Sequence, residues 1–197
     1  MALKKTGYTE KTSKRYLINA ATVYTDVIYA EGAGFTGTLH GATSGGVTVT
    51  VEQNYRDIEV DGTSHVKVKG NKVLESANAT IVANLKEITA EKIRQSMNGK
   101  LEAVLTEGPA GYKMITTKRY LEDEDYILNM AVVGTLSGTD EPVIVILDNV
   151  LSIGGLELAT EDNGETIIEQ TFEAHADIEQ LDADKFPWRI LFPEETA

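Results

Sequence analysis

Cysteine is absent from the 197-residue chain. That excludes disulfide scaffolds, cysteine–zinc sites and thiol catalysis, and nothing demands an oxidising compartment. No apolar run approaches the roughly 20 residues of a membrane-spanning helix, so no membrane partner is expected. The start, MALKKTGYTEKTSKRYLINA, is basic but has no apolar stretch and does not read as a secretory signal. Tryptophan occurs once, at Trp188. Basic residues are scarce too: 18 Lys and Arg stand against 31 Asp and Glu, a net charge of −13. The deficit is uneven. Residues 1–100 hold 13 basic and 10 acidic residues, a net of +3; residues 101–197 hold 5 and 21, a net of −16. Such a chain is poorly suited to gripping a phosphate backbone, because nucleic-acid binders need basic patches that release counterions. Ordinary acidic solubility accounts for the charge. So does head-to-tail association, in which the basic end of one copy meets the acidic end of another.

What is present is alternation. In GGVTVTVEQ, Val47, Val49 and Val51 face one way while Thr48, Thr50 and Glu52 face the other, as in a half-buried strand. Ile58 and Val60 are in phase with Val66 and Val68 across Asp61-Gly62, which reads as a hairpin. The apolar parity changes between these stretches, so a bulge or bend is expected near Asn54-Tyr55. Ile81, Ala83 and Leu85 share one strand face. The period then changes: Thr89 caps a helix whose face is Ala90, Ile93 and Met97, Asn98-Gly99 ends it, and KLEAVL offers a brief resumption. Further strands follow in YKMITTKR, YILNMAVVGTL, PVIVILDNV and IGGLELAT. The run Val143 to Leu147 is apolar on both faces and reads as a central buried strand. Asn163-Gly164 is a hairpin turn signal. The returning strand places Glu169, Thr171, Glu173, His175 and Asp177 on one face, with Ile168, Phe172, Ala174 and Ala176 on the other. A short acidic stretch leads to a last strand, PWRILF. The expected fold is mainly β: a β-sandwich or barrel with one flanking α-helix and long loops. It divides into a flexible arm, residues 1–14, and a single domain, residues 15–197.

Gly32, Gly34 and Gly37 spell G-x-G-x-x-G after an apolar run. A dinucleotide-binding turn needs a helix directly after the third glycine, since the helix N-terminus holds the pyrophosphate. Here Gly37 leads into TLHGATSGGVTVTV, which has no helical period. The stretch 31–46 reads instead as a loop, with Gly41, Gly45 and Gly46 giving freedom where the next strand starts. His40, His65 and His175 are isolated and lack metal-ligand spacing; each reads as solvated or hydrogen-bonded. The carboxylates of LEDEDY lack the spacing of a calcium loop and read as a solvated turn. Nothing is arranged for catalysis, and no cofactor or metal is expected.

Several stretches in order carry a resemblance: Gly41-Ala42-Thr43 with Gly45-Gly46, Arg56-Asp57-Ile58 through Asp61-Gly62, Val68-Lys69-Gly70, the EITAEKI helix and Pro187-Trp188-Arg189-Ile190. Together they span Leu39 to Pro193 and resemble the major tail tube proteins of long-tailed bacteriophages, closest to those of non-contractile tails from phages and prophages of Gram-positive bacteria. The basic arm is not part of the pattern. The resemblance implies a sandwich with a flanking helix, six-subunit rings whose inner strands close a continuous β-barrel, and stacked rings forming a hollow tube. Through it the genome would pass without specific binding. It also implies a place in the virion tail, assembly in the host cytoplasm, and contacts with tape-measure, terminator and distal tail or initiator proteins. Within that reading, Glu52, Glu169, Glu173 and Asp177 are candidates for the lumen, although the same residues suit an outer surface. Lys4, Lys5, Lys11, Lys14 and Arg15, with Gly41, Gly45 and Gly46, are candidates for an arm and loop that order on stacking. Two other classes stay open: the inner tube of a contractile injection device, and a monomeric sandwich that binds carbohydrate.

Overall fold

The computed structural model describes residues 6–62, 65–103, 108–109, 111–139, 141–158, 160, 162 and 164–194. Strand β1 (Leu17–Ala30) turns back into β2 (Gly34–Leu39), and β3 (Thr43–Asp57) returns as β4 (Lys72–Leu85). Helix α1 (Ala90–Met97) leads into a small hairpin of β5 (Gly99–Ala103) and β6 (Lys113–Thr117). Then come β7 (Ile127–Leu136), β8 (Pro142–Ser152), β9 (Ile168–Glu173), the short helix α2 (Ile178–Asp182) and β10 (Trp188–Leu191). All pairings are antiparallel. One sheet runs β2-β1-β7-β8-β10 and the other β3-β4-β9; β8 serves both, because its Leu151 and Ser152 also pair with Glu173 and Phe172 of β9.

Period-two burial builds the core. Val23 from β1, Met130 and Val132 from β7, and Leu147 and Val150 from β8 meet Ala79, Ile81 and Ala83 from β4 and Phe172 from β9. Val47 and Val49 pack against this cluster from β3, as their alternation requires. The alternate residues of β7 and β8, Ala131, Ile144 and Ile146, form a second cluster with Val27 and Val133. This is why Val143 to Leu147 is apolar throughout: β8 is flanked by β7 and β10 and has apolar neighbours on both faces.

Several expectations change. The stretch 31–46 is not a loop. Gly34–Leu39 is a strand paired with Tyr24–Ala30, and Gly32, at φ 83°, lies in the connecting turn. A Cβ on Gly37 would come within 2.9 Å of Val27 Cγ2, so this glycine serves close strand packing and not phosphate binding. A register shift does fall between Asn54 and Tyr55, but the extra residue is on the partner strand: Ser76 and Leu74 are the partners and Glu75 is passed over. The Asp61-Gly62 turn is present, yet regular pairing stops at Asp57–Lys72, with one further rung from Ile58 N to Asn71 O at 2.7 Å. IGGLELAT forms no strand among its described residues. The Asn163-Gly164 turn falls partly outside the described residues. KLEAVL continues as strand β5 through Ala103 and not as helix; its last residues lie outside the described ones. The acidic stretch before the last strand contains α2, which local propensity alone does not announce. Its start is a capping box, Asp177 accepting from Gln180 N at 2.7 Å while Gln180 Oε1 accepts from Asp177 N.

Helix α1 behaves as its caps dictate. Thr89 Oγ1 accepts from Lys92 N, and Asn98 closes the C-terminus in the left-handed region at φ 48°. It docks through polar groups. His40 Nε2–H donates to Gln170 Oε1 at 2.9 Å, and His40 Nδ1 accepts from the Lys92 ammonium at 3.0 Å. Gln170 Nε2 donates to Lys92 O and Ser96 Oγ, Ser152 Oγ donates to Ser96 O, and Asn98 Nδ2 donates to Ser152 O at 2.7 Å. His40 and Gln170 are fully buried, with Phe172 edge-on to the imidazole. Of its two expected states, solvated or hydrogen-bonded, His40 is in the second. Burial, reinforced by Lys92 and opposed by the Gln170 bond, pushes its pKa down to about 4. Burial likewise lowers the Lys92 ammonium, against the pull of Glu91 and Glu87. LEDEDY is not simply a solvated turn either. Asp125 ends a single 3₁₀ turn, Asp123–Asp125, with its carboxylate buried against Lys118 Nζ at 2.9 and 3.0 Å and Arg94 at 3.7 Å. Burial alone would raise that carboxyl, but the Glu122 backbone N–H and the two cations outweigh it and hold it below the ordinary range.

Candidate assembly interface

The outward face of the β3-β4-β9 sheet is a polar surface assembled by regular pairing. Its rows follow from register: Glu52 opposite Asn78; Thr50, Thr80 and Glu173 side by side; Thr48, Val82 and Thr171; Asn84 opposite Glu169. Apart from Val82, hydroxyls, amides and carboxylates fill these positions, and none is lysine or arginine. The intervening residues, Ala79, Ile81, Ala83, Ile168, Gln170 and Phe172, are buried beneath. Three of the four acidic residues picked out by alternation, Glu52, Glu169 and Glu173, thus share one face. The fourth does not. Strand β9 ends at Glu173, and the Asp177 carboxylate caps α2. Glu173 also lies 3.9 Å from His175 Nε2.

Two long edges border the sandwich. Among the described residues, no strand pairs with the outer side of β3 or of β2. Unpaired strand edges present rows of N–H and C=O groups that accept another strand. Beyond Val51 the β3–β4 hairpin leaves the core and becomes a two-stranded ribbon, nearly all of it exposed on both faces. Tyr55 (50% exposed) and Val73 (39%) project on opposite faces, and Ile58, Val60, Val66 and Val68 extend the apolar surface into the tip. At the other corner the β1–β2 hairpin exposes Ile28, Tyr29 and Phe35, the last two with ring centroids 4.9 Å apart. Sequence alternation pointed to the polar sheet face. It could not find the ribbon, because Val73 and Tyr55 look like core residues until the partner layer is seen to stop short.

The basic arm is divided. Lys4 and Lys5 lie outside the described residues. Lys11, Lys14 and Arg15 are exposed around a 3₁₀ turn, Thr12–Lys14. That turn is tied to the end of β7: Ser137 Oγ donates to Ser13 O at 2.6 Å and accepts from Tyr16 N at 3.1 Å. Gly45 and Gly46, at φ 79° and 90°, form the irregular step in β3 between Thr43 and Val47, and Gly41 lies beside Glu87. The three glycines border the sandwich next to the polar face. Among the described residues, no group of three or more His, Asp or Glu side chains could hold a metal ion.

The molecule is thus a mainly β protein, two antiparallel sheets with a flanking helix and exposed hairpin edges. No family model matches the sequence, and no curated protein matches it. Solved structures do. The chain is similar to a component of the tail of an empty GTA particle with C6 symmetry (TM-score 0.45, 13% identity, 80% of this chain and 92% of that one). It is similar to a chain of the virion of a native gene transfer agent particle (0.42, 13%, 80% and 92%) and to one of the six-fold symmetrised baseplate of the anti-feeding prophage (0.44, 11%, 89% and 95%).

Proposed function

We propose that the protein is a structural subunit of a tail particle, self-assembling into stacked six-subunit rings that form a hollow tube for DNA, with the outward face of β3-β4-β9 lining the lumen. The observation that carries this reading is that face: polar and acidic, without lysine or arginine in its four rows from Glu52–Asn78 to Asn84–Glu169, backed by a buried and mostly apolar layer and bordered by an open strand edge. Pairing the open edges of successive copies removes them from solvent, as ring closure does in any β-barrel. A wall without cations offers phosphates no partner, so DNA slides past it. The basic arm and the Gly41–Gly46 region are assigned to contacts between rings and other tail proteins. Whether the tube belongs to a long non-contractile tail or to a contractile injection device divides this proposal into two versions. The exposed Ile178, Leu181, Ile190 and Phe192 around α2 and β10 favour the second, because a sheathed tube needs an outer surface to be gripped. The carbohydrate-binding reading has less support, as Trp188 is partly buried against the core and Phe186.

The test is a charge reversal. Glu169→Lys with Glu173→Lys is expected to leave subunit stability within about 0.5 kcal/mol per site, as surface changes do. Electron microscopy should still show rings or tubes, but these should now retain DNA at low salt and release it as salt rises. Tubes of the double variant that bind no more DNA than the parent remove the luminal assignment. Absence of rings from the parent at high concentration, alone and with tail-initiator proteins, removes the tube itself.

A further inference from the structure

The unit formed by α1, β5 and β6 contributes no residue to either apolar cluster of the sandwich. Its attachment is polar instead. Of the seven buried polar residues among the described ones, five, His40, Ser96, Asp125, Ser152 and Gln170, lie at its junction with the sheets. We propose that this junction is a proton-operated latch, in which charging His40 swings the α1–β5–β6 unit away from the sandwich. The inference rests on the fold and not on the tube reading.

The hydrogen-bond pattern admits only a neutral imidazole. Gln170 spends both amide hydrogens on Lys92 O and Ser96 Oγ, so its Oε1 faces His40 as an acceptor and the ring proton must be on Nε2. Nδ1 is then the acceptor for Lys92. A second ring proton would land on Nδ1, turning that bond into two donors and two cations 3.0 Å apart. The groups around the imidazole offer no compensation. Strand β9 presents Gln170 and Phe172, and α1 presents Lys92. Glu87, on the segment before α1, and Glu91, on α1 itself, act on Lys92 and make no bond to the ring. Protonation is relieved when Lys92 leaves, and Lys92 leaves with α1. The far end of the unit stays tethered through Asp125, Lys118 and Arg94, because that carboxyl remains ionised to lower pH than an ordinary aspartate. The movement is therefore a swing about the Asp125 end.

The sign follows from linkage. Docked, His40 titrates at about 4; exposed by undocking, it returns towards its ordinary 6.5. The undocked form binds the extra proton, so docking is at full strength above about pH 6.5 and weakens about tenfold per pH unit down to about pH 4. Hydrogen exchange of the whole chain, corrected for intrinsic chemistry, reads this directly between pH 7 and 4.5. Amides of Ala90–Met97 and Gly99–Ala103 should lose about tenfold protection per unit below pH 6.5, while those of β4 and β8 hold. In His40→Gln the slope should vanish. If that variant fails to fold, Lys92→Met serves: it keeps the histidine but removes the opposing cation, and the slope should shrink. Nuclear magnetic resonance should show the His40 ring titrating near 4, well below the ordinary 6.5 of a histidine. The proposal is overturned if α1 protection tracks β8 through the window, if the slope persists in His40→Gln, or if His40 titrates near the ordinary 6.5.

Discussion

Replacing Phe172 with alanine is expected to lower the unfolding free energy of the subunit by about 3–5 kcal/mol, a large share of the ~5–15 kcal/mol that holds an ordinary domain. Phe172 is fully buried and heads the core cluster in which residues of β1, β4, β7 and β8 meet. Its backbone pairs with Ile81 of β4 and with Ser152 of β8, and its ring lies edge-on to His40. Truncation therefore leaves a cavity at the point where both sheets and the helix junction converge, and little around it can collapse inward. Urea unfolding monitored by circular dichroism checks the size of the loss. Phe172→Leu, which restores most of the volume, should recover a large part of it. A loss under about 1 kcal/mol for the alanine variant contradicts a single core shared by both sheets.

The largest functional effect is expected from the β3–β4 ribbon. Tyr55→Asp together with Val73→Asp places a carboxylate on each face of a hairpin that touches no core, so the melting temperature of the subunit should hardly change. Assembly should be lost. A two-stranded ribbon is marginal alone in water, and exposed apolar side chains on both of its faces are what the proposed assembly would cover with a second copy. Light scattering and electron microscopy across a concentration series test this. Tubes forming at the parental concentration would show that the ribbon is not the contact. A fall of many degrees in melting temperature would show that the ribbon is part of the subunit's own core.

The strands were legible where burial is one-sided and local. Val47 and Val49, Ile81 to Leu85, and Ile168 to Phe172 obey period two because a single apolar layer lies beneath them. Helix α1 was legible because Thr89 and Asn98 are caps whose chemistry acts within one turn. What escaped depends on distant partners. Gly34–Leu39 looks like a loop, with two glycines in six residues, and becomes a strand only because β1 lies beside it. Gln170 reads as one more polar residue in an alternating run, yet it is fully buried, and its reason for being there is 74 residues away in Ser96. His40 looked isolated because its partners, Lys92 and Gln170, are remote in sequence. The acidic face could be read strand by strand, whereas its freedom from cations emerged only when register set Glu52, Glu173 and Glu169 among threonines and asparagines.

Strand β8 belongs to both sheets: Ile144 to Leu147 are rungs beside β10, and Leu151 and Ser152 are rungs beside β9. Mechanically, this makes it a tie between the two sheets. A force on the acidic sheet passes along one covalent chain into the opposite sheet without first prying the apolar layers apart. The ladders with β7 and β10 meet that load over many rungs, whereas the junction with β9 meets it over two, Leu151–Glu173 and Ser152–Phe172. A subunit built this way can be pulled along β8 and answer as one body.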